Sequence, residues 1–336
     1  MAQSVPSPLL DHKYADYISV AVDAALKAGE IIRHAFKQPS TNKQVAEKLN
    51  HADLVTATDK AAEDLIFSRI RRSFPDHRFI GEESSSAAAA AAAASSSANP
   101  DPAAADNACG LSDSPTWMVD PLDGTTNFVH GFPFVCTSIG LAIGGVVVVG
   151  VVHNPVLGEL FVAAEGGGAF LNGERLEASR QTQLAGAVLG TEVGTSREED
   201  TLDAMFGRMR SLTARARSLR CMGSCALGLC SVALGRLDAF FEIGFGGCWD
   251  AAAGALMVSE AGGAVRDPAG GPWHVMSRRV LAAGTGELAG AVAAVLGGCK
   301  LGSGEVGPLG AGAGASLRDK AGEGEAAVGE AAGGRE

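Results

Sequence analysis

Two aspartates three residues apart, Asp120 and Asp123, stand in the run Trp117-Met118-Val119-Asp120-Pro121-Leu122-Asp123-Gly124-Thr125-Thr126-Asn127-Phe128. The apolar residues 117–119 predict a strand that delivers Asp120 to its end. Pro121 stiffens the exit, and Gly124 permits a tight turn after Asp123. Carboxylates this close repel one another unless a cation lies between them. Mg²⁺ takes oxygen ligands in a near-octahedral array, and two carboxylates with a backbone carbonyl such as that of Leu122 suit it. Gly124-Thr125-Thr126 would then open a helix whose free N–H groups point at an anion such as phosphate. An ordinary turn with Thr125 as a helix cap accounts for an Asp-Gly pair, but not for the whole run.

Other acids are ambiguous one at a time. Glu82 and Glu83 follow Gly81 at the end of a short predicted strand, where adjacent acids are usually solvated. Asp59 ends Leu54-Val55-Thr56-Ala57-Thr58-Asp59 and fits a first-turn helix acid favoured by the dipole. Asp250 follows Cys248-Trp249 at the start of an Ala-rich helix, and Glu242 ends a strand. Together they place several acids at strand ends or helix starts, where loops gather at one rim of an α/β sheet. No Ser-His-Asp or Cys-His set competes. Gly166-Gly167-Gly168 lacks the Lys-Ser/Thr continuation of a phosphate-binding loop and reads as a hairpin turn. His130, His153 and His274 have no ligand-like spacing and read as structural.

The whole chain agrees with a cation-assisted site. Its 336 residues are 46% hydrophobic and 19% charged, a globular composition with a formal net charge of -11. That charge argues against nucleic acid and anionic membranes as partners. An anionic substrate would need metal cations to reverse the field locally. The seven cysteines are odd in number and lack paired metal spacing. Cys221, Cys225 and Cys230 read as buried reduced thiols, with zinc the weaker alternative. The N-terminus has neither a signal-peptide core nor an Arg-rich transit stretch, and the run 146–152 is too short to span a bilayer. A soluble cytoplasmic protein is expected.

The elements that must position these residues follow from periodicity. Helical spacing predicts helices over 14–37 and 58–73, followed by a strand at 78–80. Residues 84–97, an Ala tract between Ser runs, read as a mobile insertion because so short an isolated helix is marginal in water; 99–114 reads as loop. Strands are expected at 117–119, twice within 134–152 around Gly144-Gly145, and at 159–163 and 169–171, with Asn172-Gly173 as a hairpin turn. Beyond them, strands at 188–192, 218–220 and 239–242 alternate with helices at 198–212, 224–234 and 250–260. That order predicts a layered α/β sandwich. Residues 1–10 form a tail, 11–295 one domain with the insertion 84–114, and 296–336 a Gly/Ala-rich tail expected to be disordered.

Four stretches resemble the inositol monophosphatase family: Asp53-Leu54-Val55-Thr56-Ala57-Thr58-Asp59; Phe79-Ile80-Gly81-Glu82-Glu83-Ser84; the run 117–128 continuing to His130-Gly131-Phe132-Pro133-Phe134; and Trp249-Asp250-Ala251-Ala252-Ala253-Gly254 through Glu260-Ala261-Gly262-Gly263. The segments 217–220 with 223–227, and 241–247, look most like the plant form. The resemblance implies an αβαβα sandwich, a homodimer, lithium inhibition, and a requirement for Mg²⁺, about two or three ions per site. It implies Mg-dependent hydrolysis of myo-inositol 1-phosphate, L-galactose 1-phosphate or both. Related substrates are histidinol phosphate, fructose bisphosphate or a phosphoadenosine nucleotide; a metal-binding scaffold without turnover is the remaining alternative.

By matching motif, Glu82, Asp120 and the carbonyl of Leu122 would hold a first metal, and Asp120, Asp123 and Asp250 a second. Gly124 and Thr125 would hold the phosphate, Gly223, Ser224 and Cys225 would line the substrate pocket, and Glu242 would bind sugar hydroxyls. Thr125, paired with Asp59, would orient the attacking water together with Glu82. The chain departs from the family pattern in its Ala/Ser insertion, in Gly228 where plant-type relatives carry Asp, and in Cys225 and Gly246-Gly247 at the pocket.

Overall fold

Helix α1 (Ala15–Phe36) buries Ile18, Ala21, Val22, Ala25, Ala28 and Ile32 along one stripe. Helix α2 (Ala57–Ser73) starts at a capping box: the Thr56 side chain accepts from the Thr58 N–H, and Asp59 accepts from the Thr56 N–H at 2.8 Å. Both helices lie on one face of a seven-stranded sheet. The structure, a computed structural model, describes residues 3–94 and 111–305.

The large sheet runs β3 (Arg78–Gly81), β4 (Thr116–Asp123), β5 (Cys136–Ile143), β6 (Val146–Asn154), β7 (Glu159–Ala164), β8 (Gly168–Leu171) and β9 (Glu174–Arg175) in spatial order. β3 and β4 are parallel; every other neighbour is antiparallel. Trp117 and Val119 of β4 face α1 and α2, and Met118 faces the opposite layer. A sheet covered on both faces needs near-continuous apolar strands, which explains the valine run of β6.

The opposite layer holds α6 (Cys225–Ala233) and α7 (Cys248–Glu260). A side chain at Gly140 or Gly150 would come within 2.9 Å of Ala252 or 2.8 Å of Ala253, respectively. The small residues of α7 therefore let it lie directly on β5 and β6. Under α6 and α7 lies a five-stranded sheet ordered β11 (Ser218–Arg220), β10 (Val188–Gly190), β12 (Ala239–Ile243), β14 (Arg279–Ala283) and β13 (Ala264–Arg266). Its far face packs on α8 (Gly286–Leu296) and on Leu212 of α5 (Glu199–Thr213). The layers thus follow the expected αβαβα order.

Two expectations need correction. Residues 84–94, read as mobile, continue helix α3 (Glu82–Ala94). Glu63 explains its start: one carboxylate oxygen accepts from the Glu83 N–H at 3.0 Å and the other from the Ser84 N–H at 2.9 Å. The rest of that insertion, 95–110, lies outside the described residues. The tail also does not lose order at Leu296. The chain folds back onto α5, where the Arg208 guanidinium forms a two-pronged ion pair with buried Glu305. Residues 306–336 lie outside the described residues. The hairpin β1 (Val45–Glu47) and β2 (Leu54–Thr56), together with β13, β14 and α8, had no counterpart in the sequence expectation.

Candidate active site

β4 does not end at Val119; it continues to Asp123 through a bulge. Asp120 pairs with Ser138 and Asp123 with Cys136, so three steps on β4 match two on β5. In a regular strand, residues three apart point to opposite faces. The extra residue resets the alternation, and Pro121, which has no N–H to donate, falls in the bulge. Asp120 and Asp123 thereby reach the same site.

Asp250 enters from the first turn of α7, its Oδ2 accepting the Gly247 N–H at 2.7 Å. One carboxylate oxygen from each of Asp120, Asp123 and Asp250 lies within 4.8 Å of the others. Asp120 and Asp123 are buried. Asp120 Oδ1 accepts the Leu122 N–H at 2.9 Å. Asp123 Oδ2 accepts from the Ser224 hydroxyl at 2.6 Å and the Ala226 N–H at 2.8 Å.

Burial, then the charges of Glu82, Asp123 and Asp250, push the Asp120 carboxyl well above its usual range. Burial, then Asp123 and Glu82, do the same to Asp250. Burial raises Asp123 to about 6 against the donors from Ser224 and Ala226. Among the described residues, no Lys, Arg or His forms an ion pair with any of the three. Three hard oxygen donors that resist sharing one space fit a divalent cation that prefers oxygen ligands.

Glu82 borders this group, its charge the first of those that raise Asp120. Its Oε1 also lies 2.8 Å from Lys48 Nζ, which sits equally close to Glu83 Oε1. Burial lowers the Lys48 pKa, but the two carboxylates outweigh burial and hold the ammonium above its usual value. Thr125 Oγ1 lies 3.3 Å from Asp59 Oδ1 and 3.1 Å from the Leu122 carbonyl, at the start of the short helix α4 (Thr125–His130). Burial raises Asp59 to about 7, opposed by the Thr56 donors. Gly124, at φ 86°, precedes α4; a side chain there would meet the Phe134 carbonyl at 2.8 Å.

The remaining expected residues line the same rim. Gly223 and Ser224 form the turn into α6, and the Ser224 hydroxyl is engaged by Asp123. Cys225 is buried beside Glu242, whose Oε2 has no hydrogen-bond partner. Burial first, then Glu192 and Asp250, push Glu242 well up.

Sequence reasoning missed Lys48 and Glu192. No local pattern marks Lys48, which is brought in by the β1–β2 hairpin. Glu192 was within reach of the rule that found the others, being an acid just past a strand end. Two of the histidines are structural, as expected: His153 is buried against the Ala25 carbonyl, and His274 Nδ1 accepts the Met276 N–H; His130 is exposed at the end of α4. Cys136, Cys225, Cys230 and Cys248 are free and buried, whereas Cys221 is exposed, against expectation. Among the described residues, no helix is long and apolar enough to cross a membrane.

Comparison with known proteins gives the class. A profile described as "Inositol monophosphatase family" matches residues 13–300. Inositol monophosphatase 2 of Solanum lycopersicum is 53% identical over 80% of this chain and 93% of its own length. Inositol monophosphatase 2 of Mus musculus is 45% identical over 82% of this chain and 88% of its own. Among solved structures, the extragenic suppressor protein suhB from Bartonella henselae superposes with a TM-score of 0.70 at 33% identity, covering 84% of this chain and 98% of that one. Fold, acidic centre and relatives define a phosphoric monoester hydrolase of a metal-dependent kind. The chain belongs to the inositol monophosphatase family.

Proposed function

We propose that this protein is a Mg²⁺-dependent phosphatase of small polyol and sugar monophosphates, acting on myo-inositol 1-phosphate, L-galactose 1-phosphate or both. The observation that carries this reading is the meeting of Asp120, Asp123 and Asp250 within 4.8 Å beside the Thr125–Asp59 pair. Glu82, Asp120, Asp123, Asp250 and the Leu122 carbonyl would hold the ions. Bound there, Mg²⁺ would supply positive charge for the phosphoryl oxygens and the leaving oxygen.

The chain's own groups do the rest. Gly124 and Thr125 present backbone N–H groups to the phosphate. Asp59, raised by burial to about 7, accepts the Thr125 hydroxyl proton near neutral pH. The transfer is one relay, in which the Thr125 oxygen takes a proton from the attacking water as its own passes to Asp59, and Glu82 holds that water in line with phosphorus. Glu242 offers its unpartnered oxygen to a hydroxyl of the leaving alcohol, beside Gly223, Ser224 and Cys225. The same reading carries lithium inhibition, a homodimer, a cytoplasmic location and one domain from residue 11 to 295, with the segment to Glu305 packed on it.

The test is a panel of inositol 1-phosphate, L-galactose 1-phosphate, histidinol phosphate, fructose bisphosphate and a phosphoadenosine nucleotide, assayed with Mg²⁺ and with EDTA. We expect the highest kcat/KM on the first two, and phosphate release only with Mg²⁺. Absence of turnover on every small monoester in Mg²⁺ overturns the reading.

A further inference from the structure

Asp123 is held from one side only. Its Oδ2 receives the Ser224 hydroxyl, the Ala226 N–H and, at 3.8 Å, the Cys136 thiol. With that oxygen occupied, Oδ1 is the one left for a cation. The Ser224 hydroxyl spends its one proton on Asp123 and accepts the Leu227 N–H at 3.1 Å. Where Asp123 points is therefore decided by where the segment 222–226 lies.

Its first two residues, Met222 and Gly223, belong to no strand or helix, whereas Ser224 caps α6. Gly223 is left-handed, at φ 81°. Two side chains from elsewhere satisfy the backbone of Met222 and Gly223. Glu192 Oε1 accepts the Met222 N–H at 3.1 Å, and Glu192 Oε2 accepts the Gly223 N–H at 2.6 Å. Asn127 Nδ2 donates to the Met222 carbonyl at 2.7 Å and to the Phe134 carbonyl at 2.9 Å.

Glu192 follows β10 in the five-stranded sheet, and Asp123 ends β4 in the seven-stranded sheet. The path from Glu192 through Met222 and Gly223 to Ser224 and Asp123 thus joins the two sheets at the rim. A carboxylate suits its start because it presents two acceptors to adjacent N–H groups. An amide would set an NH₂ against one of them.

We propose that Glu192 is a positioning residue for the acidic centre: by clamping Met222 and Gly223 it fixes Ser224, and through Ser224 the orientation of Asp123 and the affinity of the centre for a divalent cation. The proposal rests on the metal-dependent reading above. Groups that orient a metal ligand in this way are worth about 10–100-fold in metal affinity or activity.

The test uses the full-length protein. Mg²⁺ binding is titrated by calorimetry for the wild type, E192Q, S224A and the double variant. Steady-state kinetics on inositol 1-phosphate are run at saturating Mg²⁺, and near-UV circular dichroism checks the fold. We expect E192Q and S224A each to weaken Mg²⁺ binding about 10-fold. The double variant should lose no more than either single one, because both cut the same path. At saturating Mg²⁺ we expect the E192Q kcat to recover to within about twofold of wild type, a split that a general loss of stability does not produce.

Should E192Q fail to fold, N127S releases the same loop from its carbonyl side and is expected to weaken Mg²⁺ binding in the same direction. The proposal is overturned if a folded E192Q, or N127S in its place, binds Mg²⁺ like the wild type. It is also overturned if the losses of the double variant multiply, or if only the substrate KM changes. Wild-type protein that binds no Mg²⁺ overturns the metal reading along with it. S224A weakened while E192Q is unchanged overturns this inference alone.

Discussion

Replacing Asp120 by Asn should make the metal-free protein more stable while it removes the activity. The carboxylate oxygens of Asp120, Asp123 and Asp250 lie within 4.8 Å of one another. At that separation each ionised pair costs about 3.5 kcal/mol in a medium of effective dielectric constant about 20, and Asp120 faces two such neighbours. The protein can escape this cost by keeping a proton, which sets a ceiling. Holding a carboxyl of ordinary pKa about 3.9 protonated at pH 7.5 costs about 5 kcal/mol. Asn is nearly isosteric and keeps an oxygen for the Leu122 N–H, but its NH₂ must find an acceptor. A net gain of about 2 kcal/mol follows, or about 3 °C in Tm for a domain of this size.

The sign with pH is fixed. The Asp120 carboxyl lies well above its unfolded value. The stability it contributes is therefore complete below the unfolded pKa and is lost as pH rises toward the folded one. The advantage of D120N should be small at pH 5 and grow toward pH 8. Added Mg²⁺ should reverse the order, because an ion that binds only the folded wild type stabilises it by mass action. The assay is thermal unfolding by circular dichroism in EDTA at pH 5, 6, 7 and 8, repeated in Mg²⁺, with phosphate release measured in parallel. A variant melting at or below the wild type in EDTA at pH 8, or an advantage that does not change with pH, refutes the reasoning.

Gly228 stands within α6, where a side chain would come within 2.4 Å of the Phe240 ring. Gly228→Ala should destabilise by about 1–3 kcal/mol through overpacking, although Ala is the better helix former by about 1 kcal/mol. Urea midpoints should show this, and Phe240→Leu in the same chain should recover most of the loss. Arg208→Met leaves Glu305 as an uncompensated buried carboxylate; a cost of about 3–5 kcal/mol is expected, read as a lower urea midpoint with unchanged slope.

What was legible in the sequence is what local chemistry decides. The apolar run 117–119, the first-turn acid Asp59 and the apolar stripe of α1 carry their instructions within a few residues, and they appear where expected. The bulge that brings Asp120 and Asp123 to one side depends on register with β5, which no single strand encodes. The Ala tract was misread because its helix is started by Glu63 from α2; alone, so short a helix is marginal. β1 is exposed along its length, so no apolar alternation marks it, and Lys48 arrives with that hairpin unannounced. Glu305 was lost in a Gly-rich tail whose described part is held by a distant arginine.

The acids of the site fall into two groups, and the division bears on why an acidic protein would hold an anionic substrate. Glu82 and Glu83 share the Lys48 ammonium, and Glu63 spends both oxygens on backbone N–H groups. Those carboxylates are largely compensated by the fold. Asp120, Asp123 and Asp250 are not: each has one oxygen committed to protein donors, and burial together with the charge of neighbouring acids pushes all three carboxyls upward. A fold that satisfies Glu63, Glu82 and Glu83 so fully, yet leaves these three in conflict and one Glu242 oxygen beside them unpartnered, concentrates its frustration at one site. Such concentration marks a place selected for binding rather than stability. A divalent cation relieves the conflict and turns the local field positive, and a phosphate can then approach a chain whose overall charge would repel it.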